Sequence, residues 1–159
     1  MICEKLEGTL KEIDVTGKNI EYVEIEWHEA FKKIHKKVTD KGYEVGIRMG
    51  DWVLTRGLYE GDIIYRDDTT VIVVRTPPCE VIRIFIDRNH PMMIAKVCYE
   101  IGNRHAPLFY GENLYTFVTP YNEPMFVMLS KMHGVSAEKT EERLDYNNKV
   151  SEAIHNHHH

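Results

Sequence analysis

Cysteine is scarce in this sequence. Its 159 residues include three, Cys3, Cys79 and Cys98, and no C-x-x-C pair. An odd number at such spacings excludes a disulfide framework and a cysteine-type zinc site, and it fits a reducing cytoplasm. Long apolar runs are missing too: stretches such as Val71–Val74 are far too short to cross a bilayer. The opening stretch, MICEKLEGTLKEIDV, carries acidic residues and no sustained apolar segment, so it does not read as a signal peptide. Positive charge is in deficit, with a formal net charge of -5. A broad nucleic-acid footprint is not expected from this balance, nor, with such short apolar runs, a membrane partner.

The catalytic signatures are absent as well. There is no G-x-S-x-G, P-loop, H-E-x-x-H or G-x-G-x-x-G. Asp67 and Asp68 form a carboxylate pair in sequence, but adjacent residues on a turn point apart, and a hairpin explains them. Cys98 falls mid-helix on an apolar face with no evident histidine base, the setting of a buried thiol. The expectation is a protein that catalyses nothing itself.

What is present is an ordinary globular composition, 43% apolar and 28% charged. The first half reads as β structure. Ile20–Glu26 alternates apolar and acidic residues, and Tyr43–Met49 alternates with Val45, Ile47 and Met49 on one side. Thr39–Gly42 is a turn, and Gly50, Gly57 and Gly61 punctuate short elements. Asp62–Tyr65, the Asp67-Asp68 turn and Thr70–Arg75 form a hairpin pattern. A small barrel or sandwich follows from many short strands. Thr76-Pro77-Pro78 is the best boundary.

Beyond it the periodicity changes. Glu80–Ile86 is a predicted strand, and Pro91 starts a helix whose apolar positions are Met93, Ile94, Val97, Cys98 and Ile101. That helix is expected to end near Gly102, with Gly102 in the left-handed cap conformation. Strand-like pieces flank a turn at Gly111-Glu112-Asn113, a second helix runs over Glu123–His133 to a stop at Gly134, and Val135–Leu144 is a last strand. Strand-helix-strand-strand-helix-strand is the ferredoxin-like order. The fold class is therefore α+β: an all-β domain over 1–76, a ferredoxin-like domain over 77–146, and a flexible His-containing tail over 147–159. The methionines Met92, Met93, Met125, Met128 and Met132 lie at helical spacings and are read as core filling.

Histidine carries the chemistry. Four of the nine fall in the last five residues: His155, His157, His158 and His159. Imidazole is a good ligand for Ni²⁺, Cu²⁺ and Zn²⁺, and a run of it can wrap an ion without a preformed cavity. The competing reading is a purification tag, although such tags are usually a longer unbroken run. The other candidate is His105, set between a helix end and Pro107 at an exposed corner. One imidazole makes a poor site, but in a two-fold dimer two copies converge on one ion. His28, His35, His90 and His133 are not read as principal ligands. The basic stretch Lys32–Lys37 is either a solvated face or a contact for an acidic partner.

Gly102-Asn103-Arg104-His105-x-Pro107-Leu108, preceded by Ala95-Lys96-Val97-Cys98-Tyr99, resembles the signature of the UreE urease accessory proteins. Thr39-Asp40-Lys41-Gly42-x-Glu44-Val45-Gly46-Ile47, Leu54-Thr55-x-Gly57, Glu60-Gly61-Asp62-Ile63-Ile64-Tyr65 and Asp67-Asp68 resemble that family's N-terminal domain. The resemblance implies a cytoplasmic nickel metallochaperone. It implies an N-terminal domain similar to peptide-binding domains of chaperones, and a homodimer formed through the C-terminal domain. By the same resemblance His105 binds Ni²⁺ with its partner's copy, and His155, His157, His158 and His159 join or feed that site. The implied partners are the urease apoprotein complex and the urease GTPase accessory protein. Some members carry a histidine pair on the strand after the motif; Leu114–Val118 has none here, which argues against an auxiliary site there. Three other readings stay open: a general metal buffer or zinc-binding protein, a peptide-binding adaptor whose metal only stabilises the dimer, and an enzyme using a mononuclear metal.

Overall fold

A computed structural model describes residues 1–151. The chain divides into two compact units, Met1–Pro77 and a second beginning at Pro78.

The first unit is built from two sheets. One joins β1 (Ile2–Cys3), β5 (Glu44–Arg48) and β4 (Ile34–Val38) in the order β1-β5-β4. The other runs β2 (Gly8–Thr9), β6 (Asp62–Arg66), β7 (Thr70–Arg75) and β3 (Asn19–Glu24). The one-turn helix α1 (Val53–Arg56) precedes β6. The alternation read from Tyr43–Met49 holds, with Val45, Ile47 and Met49 all buried. Strand β7 is buried along Val71–Val74, so both its faces are covered, which is why its sequence is continuously apolar. The β6–β7 hairpin turns at Asp67, whose carboxylate accepts the backbone N–H groups of Thr69 and Thr70 at 2.8 Å each. Strand β3 is covered on both faces too. Ile20 and Tyr22 pack on Ile63, Val71 and Val73, while Val23 is fully buried on the other side. That phase carries Glu21 inward, where it accepts from Thr39 Oγ1 at 2.6 Å and Asn19 Nδ2 at 3.0 Å.

The second unit contains β8 (Cys79–Ile86), α2 (Met92–Asn103), β9 (Phe109–Tyr110), β10 (Thr116–Pro120), α3 (Glu123–Ser130) and β11 (Val135–Glu142). The strands pair antiparallel in the order β11-β8-β10-β9. That βαββαβ arrangement is ferredoxin-like, as its element order implied. Ile82, Ile84 and Ile86 alternate onto one face of β8 and meet Val97 and Ile101 of α2 and Met125 and Leu129 of α3. Asn122 caps α3, its side chain accepting from the Met125 N–H at 3.0 Å. Truncating Ile101 to alanine in this packed layer would cost about 3 kcal/mol.

Three expectations are corrected here. Helix α3 stops at Ser130, not His133, because the N–H groups of Lys131 and Met132 turn to i−3 carbonyls and tighten the last turn. Met92 is not core: it is 66% exposed, while Met93, Met125, Met128 and Met132 do pack. Gly102 lies within α2 and does not adopt the left-handed conformation.

Candidate metal centre

The left-handed residue that ends α2 is His105 itself, with φ 57°. The His105 N–H donates to the Gly102 carbonyl at 2.9 Å, and the Ala106 N–H reaches back to Ile101 at 3.3 Å. This pair of bonds is the Schellman closure, and His105 holds the position that glycine usually takes. A β-carbon there crowds the following carbonyl. The turn is nevertheless fixed from both sides. Ile101 and Ala106 pack in the apolar core, and the carbonyl of buried Pro107 accepts from Thr119 Oγ1 at 2.7 Å. His105 is thus exposed on a rigid corner.

The chain's last described residues come back beside this corner. A 3-10 turn over Tyr146–Asn148 is capped by Asp145, whose carboxylate accepts the Asn147 N–H at 2.9 Å. Lys149 bridges to Phe109, and the Val150 N–H donates to the Leu108 carbonyl at 2.8 Å. Tyr146 is buried and stacks on Phe109. His155, His157, His158 and His159 lie outside the described residues.

The other histidines differ in setting. His35 is buried, its Nε2 2.9 Å from the Lys32 carbonyl oxygen, and burial pushes its imidazole below the usual range. His28 is exposed and packs edge-on to Trp27. His90 and His133, 43 positions apart, are brought together with Nε2 atoms 3.1 Å apart. Sequence spacing gave no sign of that pair, because one residue precedes α2 and the other follows α3. Among the described residues, no three His, Cys, Asp or Glu side chains gather around one point.

The thiol of Cys98 is half-buried and pushed up by desolvation, so it is no activated nucleophile.

In the first unit, the residues that carried the sequence resemblance hold the fold together. Arg56 makes a two-pronged pair with Asp62, at 2.8 and 3.0 Å, and Asp62 also accepts the Tyr59 N–H at 2.7 Å. Gly57 has φ 77°, and a Cβ there would meet the Phe31 ring at 2.8 Å. Glu60 accepts the Thr76 N–H, closing the unit's last strand.

An all-β unit followed by a ferredoxin-like unit, with an exposed imidazole held on a fixed corner, defines a two-domain α+β protein. Comparison with known proteins makes this specific. The family model described as "UreE urease accessory protein, N-terminal domain" matches residues 3–76, and the one described as "UreE urease accessory protein, C-terminal domain" matches 78–159. Similar proteins include the urease accessory protein UreE of Helicobacter pylori strain P12, 39% identical over 91% of this chain and 83% of its own length. That of Acetivibrio thermocellus is 41% identical over 82% of this chain and 81% of its own length. The chain belongs to the UreE urease accessory protein family. It is an accessory protein and not an enzyme.

Proposed function

We propose that this chain is a cytoplasmic nickel metallochaperone serving urease maturation. Two protomers hold one Ni²⁺ between their His105 imidazoles, and tail histidines complete the shell. The observation that carries this is the placement of His105. A histidine at a glycine-type turn position, exposed and braced on both sides, presents its imidazole to solvent from a fixed point.

The dimer reading has support on the same helix. Met92, Ala95, Tyr99 and Gly102 form an exposed stripe along α2, with Met92 66% and Tyr99 69% exposed. A Cβ at Gly102 would meet nothing within 4 Å, so another backbone can approach closely there. This stripe leads to His105, so a two-fold axis crossing at its Gly102 end would bring the two imidazoles together.

The tail histidines are within reach. His155 follows Val150 by five residues, at most about 17 Å of extended chain. Val150 is bonded to Leu108, three residues past His105. His155, His157, His158 and His159 are thus proposed as ligands that collect the ion and yield it. In this proposal residues 1–76 recruit a protein partner, 77–146 dimerise and bind metal, and 147–159 feed the site.

The transfer is ligand exchange. Neutral imidazoles bind Ni²⁺, and their protonation at mildly acid pH releases it. Few nitrogen ligands and exposed positions let the urease apoprotein complex, acting with the urease GTPase accessory protein, take over the ion. Imidazoles alone do not separate Ni²⁺ from Zn²⁺ or Cu²⁺, so those ions bind in vitro too. The test is Tyr99→Glu, with molecular mass and nickel binding measured together. Dimer loss accompanied by a tenfold or larger loss of nickel affinity supports the shared site. Unchanged affinity in a monomer refutes it.

A further inference from the structure

His90 and His133 form a second constellation at the opposite end of α2 from His105. The helix between them has 12 residues, about 18 Å of rise, so one ion cannot serve both ends. The Nε2 atoms of His90 and His133 stand 3.1 Å apart, with ring centres 4.6 Å apart and planes at 85°. Two ligands about 2.1 Å from one ion have donor atoms about 3 Å apart at octahedral right angles and about 3.4 Å apart at the tetrahedral angle. Without an ion the contact is a hydrogen bond between the two rings, and the same spacing suits two donors on one ion.

The surroundings prepare His90 for this role. Its Nδ1 is buried without a hydrogen-bond partner and faces Asp87 Oδ2 at 3.5 Å. The carboxylate makes no hydrogen bond to Nδ1 at this distance; a small approach would let it accept the Nδ1 proton and leave Nε2 its lone pair, the usual device behind a ligating histidine. Asp87 is itself anchored, its N–H donating to the Gly134 carbonyl at 2.9 Å and its carboxylate accepting the Asn89 N–H at 2.8 Å. Gly134 gives the His90 ring its place: a Cβ there would come within 2.8 Å of His90 Cγ. His133 is exposed, so the pair opens to solvent.

We propose that His90 and His133 are a two-imidazole site for a divalent transition-metal cation of the Ni²⁺, Cu²⁺ or Zn²⁺ type. The site is complete within one protomer, with Asp87 as the positioning carboxylate and water in the remaining coordination positions. It does not depend on His105, on the tail, or on a dimer.

The test uses the full chain carrying His105→Ala and alanine at 155, 157, 158 and 159, so that the other candidate ligands are gone. Zn²⁺ is added while the imidazole ¹⁵N resonances and the number of bound ions are followed. The expected result is one ion per chain, with the Nε2 signals of His90 and His133 moving together. His133→Gln, an exposed change that leaves the core intact, abolishes that binding, and Asp87→Asn weakens it several-fold. No bound ion in this background overturns the site. So does binding that survives both His133→Gln and His90→Gln, or shifts confined to His28 and His35.

Discussion

The backbone N–H of Val150 donates to the carbonyl of Leu108 at 2.8 Å, which ties the end of the described chain three residues from His105. The bond sets the starting point of the tail relative to the proposed nickel ligand. A tether of this kind raises the local concentration of tail imidazoles at His105 without any direct contact. Val150→Pro removes the donor and keeps the tail. Stability is expected to fall by about 1 kcal/mol, the usual worth of one such bond. The gain in Ni²⁺ affinity proposed for the tail histidines should shrink several-fold. A calorimetric comparison with and without the tail histidines measures it, and an undiminished advantage contradicts the tether.

Replacing His105 by glycine separates folding from binding. Glycine relieves a left-handed residue of its β-carbon, so His105→Gly should stabilise the chain by about 1 kcal/mol. His105→Ala keeps the crowding and should not stabilise. Both should lose the tight nickel site. Denaturant midpoints of the two variants side by side check the first point, and equal midpoints refute it.

Asp62→Ala should be among the more damaging single changes in the first unit. It removes both Arg56–Asp62 bonds, leaving Arg56 its bond to the Gly57 carbonyl, and takes the Asp62 acceptor from the Tyr59 N–H. A loss of about 3 kcal/mol is expected, since Asp62 is buried and breaking such a pair is costly even with Arg56 partly exposed. Nickel binding should remain. Urea denaturation followed by Trp27 and Trp52 fluorescence reports the loss, and a change below about 0.5 kcal/mol would contradict the role given to this pair.

Acid should weaken the second unit through Glu142. Hydrogen bonds from Arg83, at 2.8 Å to each carboxylate oxygen, hold Glu142 below the usual carboxylate range, with help from Thr140. The native state therefore binds fewer protons than the unfolded chain near the ordinary glutamate pKa of about 4.3. The contribution is complete above that pH and disappears as pH falls through the depressed native value. Glu112, also bonded to Arg83, shifts in the same direction. Glu142→Gln should flatten the stability profile below pH about 5 and lower stability at neutral pH. An unaltered acid slope in that variant, read from melting curves at stepped pH, would count against it.

Much of the fold was legible because period-2 and helical patterns report burial directly. Val45, Ile47 and Met49 fell on one buried face, and Val97 and Ile101 on another. The strand order of the second unit followed from element order, since few topologies accommodate βαββαβ. Glu21 was not legible: its burial depends on Thr39 and Asn19 being there to satisfy it, a tertiary fact. Helix-cap chemistry favoured Gly102 as the left-handed residue, and the core contacts of Ile101 and Ala106 moved that position to His105. The His90–His133 pair could not be read at all, since only the packing of α3 and β11 against β8 brings residues 43 positions apart into contact.

The most direct measurement is a Ni²⁺ titration by calorimetry of the intact protein, of His105→Ala, and of a variant with alanine at 155, 157, 158 and 159, with molecular mass followed in parallel. The expected result is about one tight ion per dimer, lost in His105→Ala and only weakened without the tail histidines. Nickel binding by His105→Ala equal to that of the intact protein, abolished instead by the tail substitutions, would contradict a two-fold site at His105.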